Sequence, residues 1–126
     1  MAMDQDGVAI LHKVAQIILE KKGFNILLLD VRGHCTLTDF FIIAEGSANR
    51  HVLALADNIQ EELKSMGYLP VHIEGREEGD WVVLDYFDFV IHLFKPGLRD
   101  LYRLEELWHE GTLIPIEQRS EDVACR

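Results

Sequence analysis

Two short, continuous apolar runs constrain the fold of this chain more than any other feature. FNILLLDV and DFFIIAE are rich in β-branched and aromatic residues and are bounded by the polar segments RGHCTLT and GSAN. Runs of this kind are typical of strands buried in the middle of a sheet, and they are far too short to span a bilayer. The 126 residues suffice for one domain with its own core. The sequence therefore predicts a single domain around a buried sheet.

Helical periodicity predicts two helices that pack on this sheet. VAILHKVAQIILEKKG repeats apolar residues every three or four positions, so that Leu11 and Ile18 should point inward. ANRHVLALADNIQEELKSMG has the same periodicity, and Ser47 is placed to be its N-cap. The second helix should cover one face of the sheet.

The remaining predicted elements are three strands and a last helix, in LPVHIEG, WVVLDY, FVIHLF and LRDLYRLEELWHEG. The order of helices and strands predicts an α/β fold, with a mixed central sheet of about five strands flanked by helices. We expect residues 1–114 to form the domain and residues 115–126 to form a flexible C-terminal tail.

The charge of the chain favours a basic partner. Its 22 acidic and 12 basic residues give a net charge of −10, which repels a phosphate backbone, so direct contact with nucleic acid should be at most minor. Solubility alone is the alternative explanation of this charge. The acidic start MAMDQDG is unlike a secretory signal or a transit peptide, and a cytoplasmic protein without a membrane span is predicted.

A nucleotidyltransferase is the enzyme class that the sequence most nearly suggests. Such an enzyme needs a Gly-Ser at a helix start, here Gly46 and Ser47, followed by two carboxylates one residue apart on a strand that hold metal ions. The next acid, Asp57, lies within the predicted helix, and Asp85 and Asp88 are three apart across a turn. The prediction is that the chain is not an enzyme, with a nucleotidyltransferase-like activity using Ser47 and Asp85 as the alternative.

Metal binding and nucleophilic catalysis have less support. The six histidines lie on different predicted elements, and His72 and His92 could meet across neighbouring strands but lack a third ligand. Neither His34 with Cys35 nor Ser47 with His51 has an orienting group in the sequence. No metal site and no cofactor are predicted.

Period-two alternation singles out Trp81 and His92. Trp81 and Asp85 share one face of their strand and Leu84 lies on the other, so the Trp81 face is expected to be exposed and to act as a binding anchor. His92 shares a face with Phe94, which fits either a buried core residue or company for exposed aromatics. The alternation leaves both interpretations of His92 open.

The residues around Trp81 are strongly acidic. Between positions 74 and 88 the cation Arg76 stands against six carboxylates: Glu74, Glu77, Glu78, Asp80, Asp85 and Asp88. An acidic, aromatic patch of this kind suits a basic partner.

The ordered motifs of the chain resemble one family, the ribosomal silencing factors, also called the RsfS or Iojap-like family. The resemblance covers roughly residues 24–108 and rests on ILLLDVRG, LTDFFIIAEGSANRHVLALADNI, the P and the EG of LPVHIEG, DWVVLDYFDFVIHLF and RDLYRLEELW. It implies a fold related to nucleotidyltransferases without their catalytic acids. It also implies a cytoplasmic translation repressor that binds ribosomal protein uL14 on the large subunit, sterically blocks joining of the small subunit, needs no cofactor and forms a homodimer when free.

Carried onto this sequence, the resemblance and the acidic patch predict a contact set for uL14. Its members are Trp81, Asp85, Phe87, Asp88 and His92, with Glu77 and Glu78 at the rim and Arg99 and Tyr102 in the last motif. In DYFDF the chain departs from the family, because many members have a small residue or glycine where Phe87 stands. An exposed Phe87 would add apolar surface that a homodimer through the same face could cover. A homodimeric adaptor for another basic protein is the alternative function, and it differs from the silencing factor in its partner.

Overall fold

The structure of the chain, a computed structural model, describes residues 2–30, 38–96 and 112–113. The elements are α1 Ala2–Glu20, β1 Phe24–Asp30, β2 Phe40–Glu45, α2 Asn49–Ser65, β3 His72–Glu74, β4 Trp81–Asp85, β5 Phe89–Phe94 and β6 Thr112–Leu113. The predicted last helix, with Arg99 and Tyr102, and the tail from residue 115 onward lie outside the described residues.

The strands form one mixed sheet in the order β3-β4-β5-β2-β1-β6. β2 and β5 are parallel, with Phe40 opposite Phe89, and every other neighbouring pair is antiparallel. The parallel pair requires a crossover connection, which includes α2. The mixed sheet is confirmed, and β6 extends the expected five strands to six by pairing Leu113 with Leu29. Two residues are too few to show alternation, so the sequence pattern could not identify β6.

One face of the sheet packs against α1 and α2. Leu11 and Ile18 are fully buried there, as predicted from their helical spacing. Each large aliphatic side chain buried in this way contributes about 1.5–3 kcal/mol. Other fully buried members of this core include Leu28, Ile42, Val52, Leu55, Ile59, Leu63, Leu84, Ile91 and Leu93. Among the described helices, α1 and α2 both pack on this one face of the sheet.

The start of α2 differs from the prediction by one residue. Ala48 is the N-cap, with φ −162° and ψ 171°, and it makes no side-chain capping bond. The Ser47 hydroxyl lies instead 3.0 Å from Nδ1 of His51, one turn into the helix. Ser47 as N-cap is therefore wrong, and its hydroxyl contacts the His51 imidazole instead.

A second apolar cluster lies on the sheet face away from α1 and α2. Leu29, Phe41, Ile43 and Phe94 are buried in it, and Trp81 is packed at its side. Side chains of successive strand residues point to opposite faces, so the members of this cluster come from the alternate positions of β1, β2 and β5. This face carries Trp81 and His92, the two residues that the alternation singled out.

Candidate functional site

Part of the predicted contact set lies on β4 and β5, on the sheet face away from α1 and α2. Trp81, Val83 and Asp85 are half-buried there, while Val82 and Leu84 are fully buried toward the helices. The alternation predicted for this strand is confirmed. We call the surface formed by Trp81, Val83, Asp85, Val90 and His92 the β4–β5 face.

Trp81 is held on this face by its neighbours. Its indole Nε1–H donates a hydrogen bond to Nδ1 of His92 at 3.1 Å, and its ring stacks on Phe94 with 5.2 Å between centroids. The His92 ring in turn lies 5.6 Å from the ring of Phe41. An aromatic side chain fixed in one orientation and still half-exposed loses little conformational freedom when a partner covers it.

His92 belongs to the core beneath Trp81. Its side chain is buried, with 7% of the residue exposed, and burial lowers the pKa of His92 to about 4, against the opposing charge of Asp85. The imidazole is therefore neutral near pH 7, and because Nδ1 accepts from Trp81, Nε2 carries the proton. The core interpretation of His92 is thus the one that the structure supports. Its burial leaves little surface for direct contact with a partner, so His92 contributes to the site by holding the Trp81 side chain in place.

The turn between β4 and β5, residues 86–88, presents Phe87. The Asp85 carboxylate accepts the Phe87 backbone N–H at 2.8 Å, and the Asp88 N–H donates to the Tyr86 carbonyl at 2.8 Å. Phe87 has φ +75° and is 70% exposed. Tyr86 points the other way, into the core next to Phe89.

The acidic residues do not form one continuous patch. Glu77 and Glu78 precede the first residue of β4, Trp81, which lies opposite Phe94 at the end of β5. Asp88 follows the far end of the strand, roughly 13 Å away at about 3.3 Å per residue. Five of the six acidic residues expected to form one patch therefore lie at the two ends of β4, and Glu74 lies on β3 opposite Val83.

Two of the charges near this surface are neutralised within the chain. Asp80 forms an ion pair with Lys95 at 3.3 Å, and Arg76 forms one with Asp57. Glu77, Glu78 and Asp88 are exposed and make no ion pair with any described residue. The carboxylates at the two ends of β4 remain available to an external cation.

Tyr86 supplies a test of the packing beneath the turn. Burial raises the pKa of Tyr86 to about 12, and within the described part of the chain its hydroxyl has no hydrogen-bond partner. Because the phenylalanine lacks this desolvated hydroxyl, we expect Tyr86→Phe to raise the free energy of unfolding by about 1 kcal/mol in urea denaturation. Tyr68→Phe, at a residue 38% exposed, should change it little. A less stable Tyr86→Phe would mean that the hydroxyl is bonded in the folded chain.

The catalytic alternatives are not brought together by the fold. Ser47 follows the end of β2, where the Gly46 N–H donates to the Phe94 carbonyl, whereas Asp85 pairs with Val90 near the start of β5. The two residues of the nucleotidyltransferase alternative thus lie at opposite ends of the sheet.

Ser47 and His51 do meet, but as a link between the helices. His51 Nε2 lies 2.7 Å from the Lys21 carbonyl oxygen, so that Nδ1 is the acceptor. Nδ1 is approached both by the Ser47 backbone N–H, at 2.8 Å, and by its hydroxyl, at 3.0 Å. An acceptor already engaged by a backbone N–H is a poor base for the hydroxyl, and the arrangement ties the end of α1 to the start of α2.

His72 and His92, which the sequence allowed to meet across neighbouring strands, do not lie on neighbouring strands. His72 is on β3, opposite Asp85 of β4, and β4 separates β3 from β5, which carries His92. Among residues 2–30, 38–96 and 112–113 there is no group of three or more side chains able to hold a metal ion. No helix within the same ranges has the length and apolar character needed to cross a membrane.

Sequence reasoning missed three residues next to the turn. Asp39 lies beside it, since its N–H donates to the Asp88 carbonyl. Leu69 and Val71 are 68% and 67% exposed in the segment before β3. The apolar letters of that segment were visible in the sequence, but only the strand order places them beside residues 86–88.

The sequence profile of a family described as RsfS, ribosomal silencing factor during starvation, matches residues 4–125. The chain belongs to this family. The ribosomal silencing factor RsfS of Haemophilus influenzae is 39% identical over 87 residues, which cover 69% of this chain and 85% of that protein.

A structural and a more distant relative agree with this membership. The crystal structure of a Chromobacterium violaceum protein has a TM-score of 0.74 and 36% identity, and covers 85% of this chain and 88% of that one. The mouse protein named mitochondrial assembly of ribosomal large subunit protein 1 is 31% identical over 115 residues, covering 89% of this chain and 49% of that protein. The family resemblance and the α/β fold are therefore confirmed, and the family name describes a regulatory factor rather than an enzyme.

Proposed function

We propose that this ribosomal silencing factor binds uL14 on the large ribosomal subunit and sterically blocks joining of the small subunit, so that translation in the cytoplasm is repressed. Membership of the family carries the proposal. The name of the mouse relative, which refers to the large ribosomal subunit, supports the choice of subunit. In this proposal the bound chain occupies the surface that the small subunit would otherwise contact, which needs no cofactor and no catalytic residue.

The surface that we propose for uL14 is the β4–β5 face together with both ends of β4. Its support is a half-exposed, fixed Trp81 and the exposed carboxylates that flank it. uL14 is a basic protein, and opposite charges across an interface accelerate association and select the partner. The proposed contacts are Trp81, Asp85, Phe87 and Asp88, with Glu77 and Glu78 at the rim, Arg99 and Tyr102 in the last motif, and His92 acting through Trp81.

We also propose that the free chain is a homodimer through this surface. A net charge of −10 on each copy opposes self-association, so the apolar residues of the surface would have to supply the favourable energy. Dimerisation and uL14 binding would then compete. The dimer is consequently expected to dissociate as uL14 is added.

Co-sedimentation of the purified chain with isolated large subunits tests the proposed function. We expect saturable binding that free uL14 abolishes. Saturable binding that uL14 does not affect would indicate another basic partner on the subunit, and an absence of binding at low salt would contradict the proposal.

The double variant Trp81→Ala, Asp85→Lys tests the surface. It removes the aromatic anchor and reverses a charge, and we expect at least a tenfold weaker binding to large subunits, because one such anchor is typically worth more than about 1.4 kcal/mol. Circular dichroism must show that the variant is folded.

Glu61→Lys is the matched control. It changes the net charge by the same amount as Asp85→Lys, but it lies on the exposed side of α2. Binding by this control should be close to that of the parent chain. Equal binding by the parent and the folded double variant would show that uL14 is recognised elsewhere.

A further inference from the structure

The turn of residues 86–88 holds a bulky side chain in a conformation that glycine normally supplies. Phe87 has φ +75°, and the other described non-glycine residues with positive φ are Lys22 and Asn25. Asparagine tolerates this region, and Lys22 follows the end of α1, where left-handed residues are common. Neither explanation accounts for the positive φ of Phe87, because phenylalanine is an aromatic residue and Phe87 does not follow a helix. The strain must therefore be maintained by the surrounding contacts.

Those contacts are hydrogen bonds made by the backbone N–H groups of Phe87 and of the residues on either side of it. Its own N–H is bonded by the Asp85 carboxylate, and the Asp88 N–H closes a three-residue turn onto the Tyr86 carbonyl. The Tyr86 N–H donates to the Phe89 carbonyl at 2.9 Å. The turn is thus rigid, and it directs a phenyl ring that is 70% exposed away from the core.

The neighbours of Phe87 are apolar on one side. Val71 is 67% exposed, and its N–H donates to the Asp85 carbonyl at 2.7 Å, which places this segment alongside the turn. Leu69, 68% exposed, lies two residues before it. Of the six large exposed hydrophobic residues in the described part of the chain, Leu69, Val71 and Phe87 are the most exposed.

On the other side the turn is surrounded by carboxylates. Asp88 is in the turn, Asp85 precedes it, and Asp39 is on the adjacent backbone, where its N–H donates to the Asp88 carbonyl at 3.1 Å. No described lysine or arginine forms an ion pair with any of these three residues. An aromatic ring within such a group matches an apolar pocket bordered by lysine or arginine side chains.

We propose that Phe87 is an aromatic anchor that enters an apolar pocket with a basic rim on the large-subunit protein bound by this chain, and that Asp39 is a further contact at that rim. The proposal rests on the proposed function, because it takes the same partner. It assigns to this end of β4 a contact separate from Trp81. The conformational strain at Phe87 is retained because glycine, which would remove it, would also remove the anchor.

The variant Phe87→Gly separates these two effects. Glycine adopts positive φ freely, so the midpoint of denaturant unfolding should stay the same or rise. Binding to isolated large subunits in co-sedimentation should become at least tenfold weaker. Phe24→Ala is the control, since it removes a partly exposed phenyl ring at the opposite end of the sheet, and it should bind as the parent chain does.

A second variant tests the rim. Asp39→Lys reverses a charge beside the turn without altering Phe87, and at low salt it should weaken binding several-fold, with a smaller effect at high salt. If Phe87→Gly binds large subunits as tightly as the parent chain, the anchor is wrong while the proposed function stands. If the parent chain itself does not bind, the proposed function and the anchor are both overturned.

Discussion

A Gly75→Ala variant should be largely unfolded under conditions in which the parent chain is folded. A Cβ at this position would lie 1.9 Å from the Trp81 carbonyl oxygen and 3.0 Å from its carbon, both atoms of the backbone. Gly75 also has φ +82°, which a residue with a side chain adopts only at a cost. Neither atom can move without displacing β4. We therefore expect Gly75→Ala to lower the free energy of unfolding by at least about 4 kcal/mol, a large share of the stability of a small domain.

Gly67→Ala is the matched control for this prediction. Gly67 has φ +93°, but a Cβ there would meet nothing within 4 Å. Its loss of stability should be limited to the conformational cost, about 1–2 kcal/mol. Guanidinium denaturation of the two variants measures the difference. Equal losses would show that the β3–β4 connection relaxes around the new methyl group.

The Gly75 result bears on the site as well as on stability. The residue opposite the clash is Trp81, whose backbone begins β4 and whose ring lies on the β4–β5 face. A change that displaces the Trp81 carbonyl also moves its side chain relative to His92. If the proposed surface is correct, partly folded Gly75 variants should bind uL14 more weakly as well as being less stable.

The main elements of the fold were predictable because the apolar runs have clear periods. β2 is buried along its whole length, which is why DFFIIAE reads as a continuous apolar run. β4 shows strict alternation of half-buried and buried residues, which is why Trp81 and Asp85 could be placed on one face. Periodicity reports the local environment of a strand, and these environments extend over several residues.

The parts of the site that could not be predicted depend on strand order and on turn conformation. Asp39 and Asp88 are far apart in the sequence and meet because β2 and β5 are parallel and in register at their first residues. Glu78 and Asp88 are near in sequence, yet β4 separates them. The left-handed φ of Phe87 runs against the residue preferences of turns, so no rule based on propensity would have found it.

His92 illustrates the same division. Alternation placed it with Phe94 on one face of β5, but alternation does not say whether that face is covered. The structure shows the imidazole packed among Trp81, Phe41 and Phe94 and buried. That burial has a measurable consequence for stability as a function of pH.

The free energy of unfolding should fall as the pH is lowered from 7.5 to 5, with about 2 kcal/mol of the fall due to His92. Burial lowers the pKa of His92 in the folded chain to about 4, whereas in the unfolded chain it is near 6.5. Between these values the unfolded chain binds a proton that the folded chain does not. The stabilising contribution is therefore complete above about pH 6.5, decreases as the pH falls below it, and is lost by about pH 4.

Urea denaturation at both pH values, compared between the parent chain and His92→Gln, isolates this contribution. Glutamine does not titrate and can accept the Trp81 indole N–H, so the variant should lose about 2 kcal/mol less than the parent over the same range. His72→Gln is the control, because its imidazole is 60% exposed and stays in water on folding. If the parent and His92→Gln lose stability equally, His92 must take up its proton in the folded chain as readily as in the unfolded one. The hydrogen bond from Trp81 would then fail at mildly acidic pH, and the orientation of the proposed anchor would itself depend on pH.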